Sequence, residues 1–251
     1  MCPRDRRGAA IAWRRPNTQV RPVLAVLYDI HGNLPALEAV LADAEHAGAT
    51  RHLLGGDYAL FGPWPAETVD RLDSLDGAIW IRGNGERWTA NPGDAPDDDV
   101  VQGAIDASRA ELGESLVERL AALPEQHVSG EARFCHASPP SDVRGFSPEQ
   151  SEDDVELLAA VGEDQLFVGH THIQFRRRST ERGIEVINPG SVGMPFDGDP
   201  RAAYALIAPG GDPELRRVAY DHERSAAAVR ERFPGFGETI ARRIERAAFV
   251  S

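Results

Sequence analysis

The residues of this chain best suited to chemistry are two carboxylates, one amide and four imidazoles, each set just behind a short apolar run. Asp29 and His31 follow residues 23–27, Asp57 follows 52–54 and Asn84 follows 78–81. His136 follows 132–135, and His170 and His172 follow 165–168 in Gly169-His170-Thr171-His172. This mixture of nitrogen and oxygen donors suits divalent first-row metals and lacks the thiolates of a structural zinc site. Seven donors are too many for one tetrahedral ion. They suit two ions about 3.5–4 Å apart that share an anion, and Asp57 is the natural bridging carboxylate. Taken singly, D-x-H, G-D and a lone His are common by chance. The signal is the ordered set. His46, His52, His127 and His222 lack that context and read as ordinary surface or core residues.

The elements that must position these groups can be read from the apolar pattern. Residues 23–27 form a continuous apolar run, as expected of a strand buried on both faces. Leu34, Leu37, Val40 and Leu41 then recur at helical spacing, with Gly48 as the stop. A second strand at 52–54, a helix carrying Val69, Leu72 and Leu75, and a third strand at 78–81 complete an alternation that predicts a parallel α/β sheet. In such sheets the carboxyl ends of the strands line the ligand crevice. Every candidate residue falls at such an end. Residues 91–99 read as a loop, 100–123 and 155–161 as helices, and 132–135 and 165–168 as further strands. Four β-like runs follow without helices between them, at 173–177, 184–188, 203–208 and 215–220, and predict antiparallel hairpins in a second sheet. Residues 225–249 read as two helices broken at Pro234-Gly235.

Composition narrows the function class. The formal net charge is −13, which disfavours binding to a nucleic-acid duplex. All 27 basic residues are Arg, so no lysine Schiff base or phosphate-loop lysine exists. Cys2 and Cys135 lie in unlike contexts, which argues against a disulfide framework. Cys135 sits beside a candidate ligand on a strand, so it is expected to point into the core and carries no chemistry. No apolar run is long enough to span a membrane, and the arginines near the N-terminus precede no signal-type apolar segment. A cytoplasmic location is expected. Residues 1–20 read as a flexible tail and 21–251 as one domain, with a helical insertion at about 92–128 and C-terminal helices at about 225–249.

The series Asp29-x-His31, Gly56-Asp57, Gly83-Asn84, His136 and Gly169-His170-Thr171-His172 resembles the motifs of the calcineurin-like metallophosphoesterases over about residues 23–221. Asp29-Ile30-His31-Gly32-Asn33-Leu34-Pro35-Ala36-Leu37 and Asn188-Pro189-Gly190-Ser191-Val192-Gly193 are similar to a small bacterial and archaeal phosphodiesterase branch related to diadenosine tetraphosphatases. The resemblance implies an α/β fold, a four-layer α/β/β/α sandwich with two mixed β-sheets. It implies one metal on Asp29, His31, Asp57 and His172, and another on Asp57, Asn84, His136 and His170. Manganese is the first expectation, with Fe, Zn, Ni and Co as alternatives. The implied reaction is hydrolysis of a small phosphate ester, a phosphodiester or nucleotide phosphate, by attack of a metal-bridging hydroxide. Asn84 and His170 are the implied catalytic residues. The oligomeric state is left open.

One departure favours a second reading, a catalytically weak metal-dependent nucleotide-binding or scaffold protein. Where the family has G-N-H-D/E, this chain has Gly83-Asn84-Gly85-Glu86. Glycine cannot protonate a leaving group, a service worth about 10²–10⁴-fold. Water or a neighbour such as Glu86 would have to replace it. Asn33 and Ser191 lie in loops expected to reach the site and bind the substrate phosphate. Arg87 and Arg144 read as solvated surface ahead of phosphate clamps, Trp64 and Trp88 as packing ahead of base stacking, and the helix at 100–123 as a candidate lid.

Overall fold

The computed structural model describes residues 22–250; the tail expected over residues 1–20, with Cys2, lies outside them. Strand β1 (Val23–Leu27) is apolar throughout because each face meets a different layer. Ala25 and Leu27 pack toward helix α1 (Leu34–His46), while Val26 packs between the sheets. Helix α1 starts at Asn33, whose side chain accepts the Ala36 N–H at 3.4 Å, and Pro35 occupies the first turn, where no donor is needed. Leu37, Val40, Leu41 and Ala44 form its buried stripe.

Strands β2 (Ala49–Leu54) and β3 (Ile79–Trp80) extend the sheet in parallel on either side of α2 (Pro65–Asp73). Next come α3 (Asn84–Ala90) and α4 (Asp99–Ala121), the latter interrupted at Gly113. Strands β4 (Gln126–Ser129) and β5 (Ala132–Cys135) pair as a hairpin, and α5 (Asp154–Leu157) leads to β6 (Gln165–Phe167). Strands β7 (Phe175–Arg178), β8 (Glu185–Asn188), β9 (Ala202–Ile207) and β10 (Glu214–Val218) follow, then helices α6 (His222–Arg232) and α7 (Gly237–Arg246).

The two sheets divide the strands differently from the sequence expectation. One has the order β10-β9-β1-β2-β3 and the other β4-β5-β6-β8-β7. The β9–β10 hairpin joins the first sheet, antiparallel to β1, rather than the second. Strands β5 and β6 leave the parallel series and found the second sheet. Both sheets are therefore mixed. Apolar alternation reports which face is buried, and it does not report which strand lies alongside.

The sheets face each other across a core of Val26, Tyr28, Leu53, Phe134, Phe167 and Ile187, with Phe134 and Phe167 stacked at 4.8 Å. Helices α1 and α2 cover the outer face of the first sheet. Leu157, Leu158 and Val161 cover the second, where Cys135 is buried. This is the expected four-layer α/β/β/α sandwich. A further apolar cluster joins α4, α6 and α7 through Ile105, Val229, Phe233, Ile240 and Ile244, and makes a helical cap over one end of the sandwich.

Candidate metal centre

All seven candidate residues converge where the carboxyl ends of β1, β2, β3, β5 and β6 meet. Five of them carry backbone conformations that L-residues seldom adopt. The φ angles are 54° at Asp29, 50° at His31, 57° at Asp57, 65° at His170 and 57° at His172. Such conformations cost on the order of 1–3 kcal/mol each and persist where the surroundings enforce them. Here the first two loops are laced together. Asp29 N donates to Gly56 O (3.1 Å), His31 N to Asp57 O (2.9 Å) and Gly32 N to Tyr58 O (2.8 Å). From the other side Gly193 N and the Ser191 hydroxyl donate to Asp29 O at 3.0 and 2.7 Å.

The imidazoles are oriented by their outer nitrogens. His31 Nδ1 bonds Leu60 O (2.9 Å), His136 Nδ1 bonds Gly55 O (2.9 Å) and His172 Nδ1 bonds Met194 O (2.6 Å). A carbonyl can only accept, so each Nδ1 carries a proton, and the neutral ring then presents its lone pair at Nε2. His31 Nε2 and His172 Nε2 then face each other at 3.0 Å with no proton between them. Asp29 Oδ1 lies 3.6 Å from His172 Nε2 and 3.8 Å from His136 Nε2, is buried and has no hydrogen-bond partner. Asp57 Oδ2 lies 3.9 Å from His31 Nε2, and its Oδ1 lies 3.5 Å from His136 Nε2. The Asn84 amide terminus stands 2.9 Å from both His136 Nε2 and His170 Nδ1. With Nδ2 turned there it donates to both rings; with Oδ1 turned there it is one more acceptor.

A buried cluster of lone pairs with no positive partner is destabilising, and cations at its centre remove the conflict. Two compact groups of donors meet this description, Asp29 with His31 and His172, and Asp29 with Asp57 and His136. They share Asp29. Asp57, expected as the bridge, also faces both, one oxygen toward an imidazole of each group. The residues therefore fit a dinuclear divalent centre. Without cations, burial holds His31 down to about 3 and His170 down to about 4. Burial likewise holds His172 well below the ordinary imidazole range. It pushes Asp29 up to about 8, with His136 opposing, and raises Asp57 well above the carboxylate range.

Several neighbours play other parts than expected. Asn33 is buried. Its amide donates to Gly193 O (2.8 Å) and Tyr220 Oη (3.1 Å), and its oxygen accepts from Ser225 Oγ (2.9 Å). Ser191 is fully buried and spends its hydroxyl on Asp29 O and Met194 N. Neither lines the cavity over the ligands; both fix the backbone beneath it. Glu86, the suspected proton donor, accepts the N–H groups of Asp57 (2.9 Å), Tyr58 (2.8 Å) and Gly83 (2.8 Å). Both of its oxygens are engaged by backbone donors, so it clamps the Asp57 turn and faces away from the cavity over the ligands. Gly85 N donates to Asp57 Oδ1 at 2.7 Å, and a Cβ at position 85 would meet that oxygen at 2.9 Å. Glycine there lets the backbone orient the carboxylate directly.

Arg87 grips Asp142 through two bonds of 2.7 and 2.8 Å, and Arg144 pairs with Glu156 on the surface. Trp64 lines a separate groove with Arg224 and Glu231. Trp88 does line the cavity over the ligands, as do Val100 and Val101 at the start of α4. That cavity, about 380 Å³, is also lined by Phe196, Arg243 and Phe249. None of these three stood out in the sequence. Arg243 follows Ile240 by three residues and so falls on the buried side of its helix, an unusual place for an arginine.

Residues 23–209 match the model of the calcineurin-like phosphoesterase superfamily domain. The chain is 29% identical over 238 residues to an uncharacterized protein of Methanocaldococcus jannaschii, covering 86% of this chain and 95% of the relative. It is 28% identical over 188 residues to the phosphodiesterase YfcE of Escherichia coli K12, covering 71% of this chain and 83% of that protein. A solved metallophosphoesterase from Sphaerobacter thermophilus superposes with a TM-score of 0.77 at 27% identity, over 90% of this chain and 100% of the other.

Proposed function

The chain belongs to the calcineurin-like phosphoesterase superfamily, and from that premise we propose that it is a manganese-dependent phosphodiesterase of the small bacterial and archaeal branch, acting in the cytoplasm on phosphodiesters or nucleotide phosphates. The coarser activity, metal-dependent phosphoester hydrolysis at a dinuclear centre, rests on one observation above others: His31 Nε2 and His172 Nε2 confront each other at 3.0 Å beside an unpartnered buried carboxylate oxygen. The phosphodiester preference draws support from the similarity to YfcE. The choice of manganese draws on the donor chemistry, carboxylate, amide and imidazole without thiolate. No helix among the described residues is long and apolar enough to cross a membrane.

Asp29, His31, Asp57 and His172 would hold one cation, and Asp57, Asn84, His136 and His170 the other. Bound there, two divalent cations neutralise phosphoryl oxygens and acidify the water that serves as nucleophile. The chain's own contribution is preorganisation. Three Nδ1–H bonds to carbonyls aim the imidazoles, and Glu86 and the Gly85 N–H fix Asp57. Asn84, at the start of α3, stands at the cavity beside His170 and can also donate Nδ2–H to a phosphoryl oxygen. With Gly85 lacking a side chain and Glu86 spent on backbone, no side chain protonates the leaving oxygen from this turn. Esters with stable leaving anions, aryl and nucleotide types, are the substrates this arrangement serves.

The test is hydrolysis of bis(p-nitrophenyl) phosphate by protein stripped with chelator and reloaded with Mn²⁺. Activity should return with metal, and Asp57→Ala should lose at least one ion together with activity. A protein that holds two ions yet hydrolyses neither diesters nor monoesters would refute the proposal and leave the scaffold reading standing.

A further inference from the structure

We propose that Arg243 and Phe249 form the substrate-recognition wall of the cavity, Arg243 binding phosphoryl oxygens and Phe249 packing against a flat aromatic group on the ester. This deepens the phosphoesterase reading and rests on it. Arg243 lies on α7, outside the motif-bearing strand ends, and is 7% exposed. Its Nε donates to Val250 O at 2.7 Å. Among the described residues no carboxylate forms an ion pair with it. Asp98, whose charge favours that of Arg243, also lines the cavity, and its Oδ1 accepts the Val100 and Val101 N–H groups that open α4. Most arginines here are satisfied by acids, as in the Arg87–Asp142, Arg133–Glu163 and Arg230–Glu245 pairs. A guanidinium taken out of bulk water, with neither Nη group committed to a partner among the described residues, is prepared for an anion.

The setting names the anion's chemistry. Arg243 Cζ lies 4.4 Å from the Phe249 ring centroid, so the guanidinium plane is held by a cation–π contact and a carbonyl bond, leaving its outer edge to the cavity. The same cavity is walled by His31, Asp57, Asn84, His170 and His172. A row of rings runs from the metal ligands to the rim. Phe196 stacks on His172 at 4.4 Å, and Phe249 meets Phe196 edge-on at 5.7 Å. Phe249 is 69% exposed, a large aromatic ring left open beside a charged site. A phosphoryl group reaching Arg243 therefore brings its ester substituent against Phe249 and Trp88. An aryl or nucleoside group fits that surface, and a small alkyl group leaves it wet.

Two phosphonates that cannot be hydrolysed test this by equilibrium binding to the Mn²⁺-loaded full chain. Methylphosphonate carries the anion alone, and phenylphosphonate adds the ring. Arg243→Met should weaken both by about tenfold or more, with metal content unchanged, and Arg243→Lys should recover part of the loss. Phe249→Ala should weaken phenylphosphonate alone, by about threefold or more. If Arg243→Met does not fold, the Arg243→Lys and Phe249→Ala results decide. Unchanged affinities in folded, metal-loaded Arg243 variants, or an unchanged preference for phenylphosphonate in Phe249→Ala, would overturn the inference. A wild-type protein that holds two ions and binds neither phosphonate would overturn the phosphoesterase reading itself.

Discussion

Glu86→Gln separates structure from chemistry at the turn where the chain departs from its family. The carboxylate accepts three backbone N–H groups, Asp57 and Gly83 on Oε2 and Tyr58 on Oε1. Glutamine has the same shape but replaces one oxygen with a donor. With its carbonyl at the Oε2 position it keeps two bonds and turns an amine toward Tyr58 N–H. The opposite orientation keeps one bond and orphans two. An orphaned buried donor costs about 1–3 kcal/mol, and the surviving bonds lose their charge assistance, so the total is about 2–4 kcal/mol. For a domain of this size that lowers Tm by roughly 5–15 °C. The Asp57 turn loosens with it, so metal affinity and kcat/KM should fall together, and equally for aryl and alkyl esters. Thermal melts, metal analysis and a leaving-group series measure all three. An unchanged Tm with a selective loss on alkyl esters would refute the reasoning and make Glu86 the proton donor.

Gly85→Ala places a Cβ 2.9 Å from Asp57 Oδ1 and should reduce bound metal; wild-type log kcat/KM should fall steeply with leaving-group pKa, and a flat plot with chemistry rate-limiting would reveal a proton donor. Cys135→Ala, in the core over the second sheet, should cost on the order of 1 kcal/mol in denaturant titrations and leave activity and metal content intact; loss of metal without loss of stability would contradict its placement. Burial raises Asp29 in the metal-free protein to about 8, from about 3.9 when unfolded, so the folded chain binds the extra proton between these values and its stability falls as pH rises through them. Metal must displace that proton, so the Tm gain from Mn²⁺ should grow between about pH 6 and pH 8; a gain independent of pH would contradict this. His31, held down to about 3, acts in the opposite sense, and its contribution is lost as pH falls below about 6.5.

The ligand cluster was legible because each ligand ends an apolar run, and strand ends of one sheet meet in space. The division into sheets was not: β9 is apolar throughout, which marks a strand buried on both faces and does not say whether it borders β1 or β8. Asn33 and Ser191 look like exposed loop residues in sequence. They are buried because tight turns leave backbone groups that only short polar side chains can satisfy, as Ser191 does for Asp29 O. Glu86 belongs to the motif by position, yet its carboxylate turns inward to the backbone. Arg243 falls on the buried side of α7, three residues after Ile240, but an arginine is ordinarily solvated, and only the tertiary packing of α7 shows that it faces the cavity over the ligands. The strained φ angles at five of the seven ligands also lay beyond sequence reasoning, since they belong to residues other than glycine.

The central claim is most directly tested by an anomalous difference map from crystals grown with Mn²⁺. The account predicts two peaks about 3.5–4 Å apart, one among Asp29, His31, Asp57 and His172 and the other among Asp57, Asn84, His136 and His170. A single peak, or ions bound away from these residues, would contradict it.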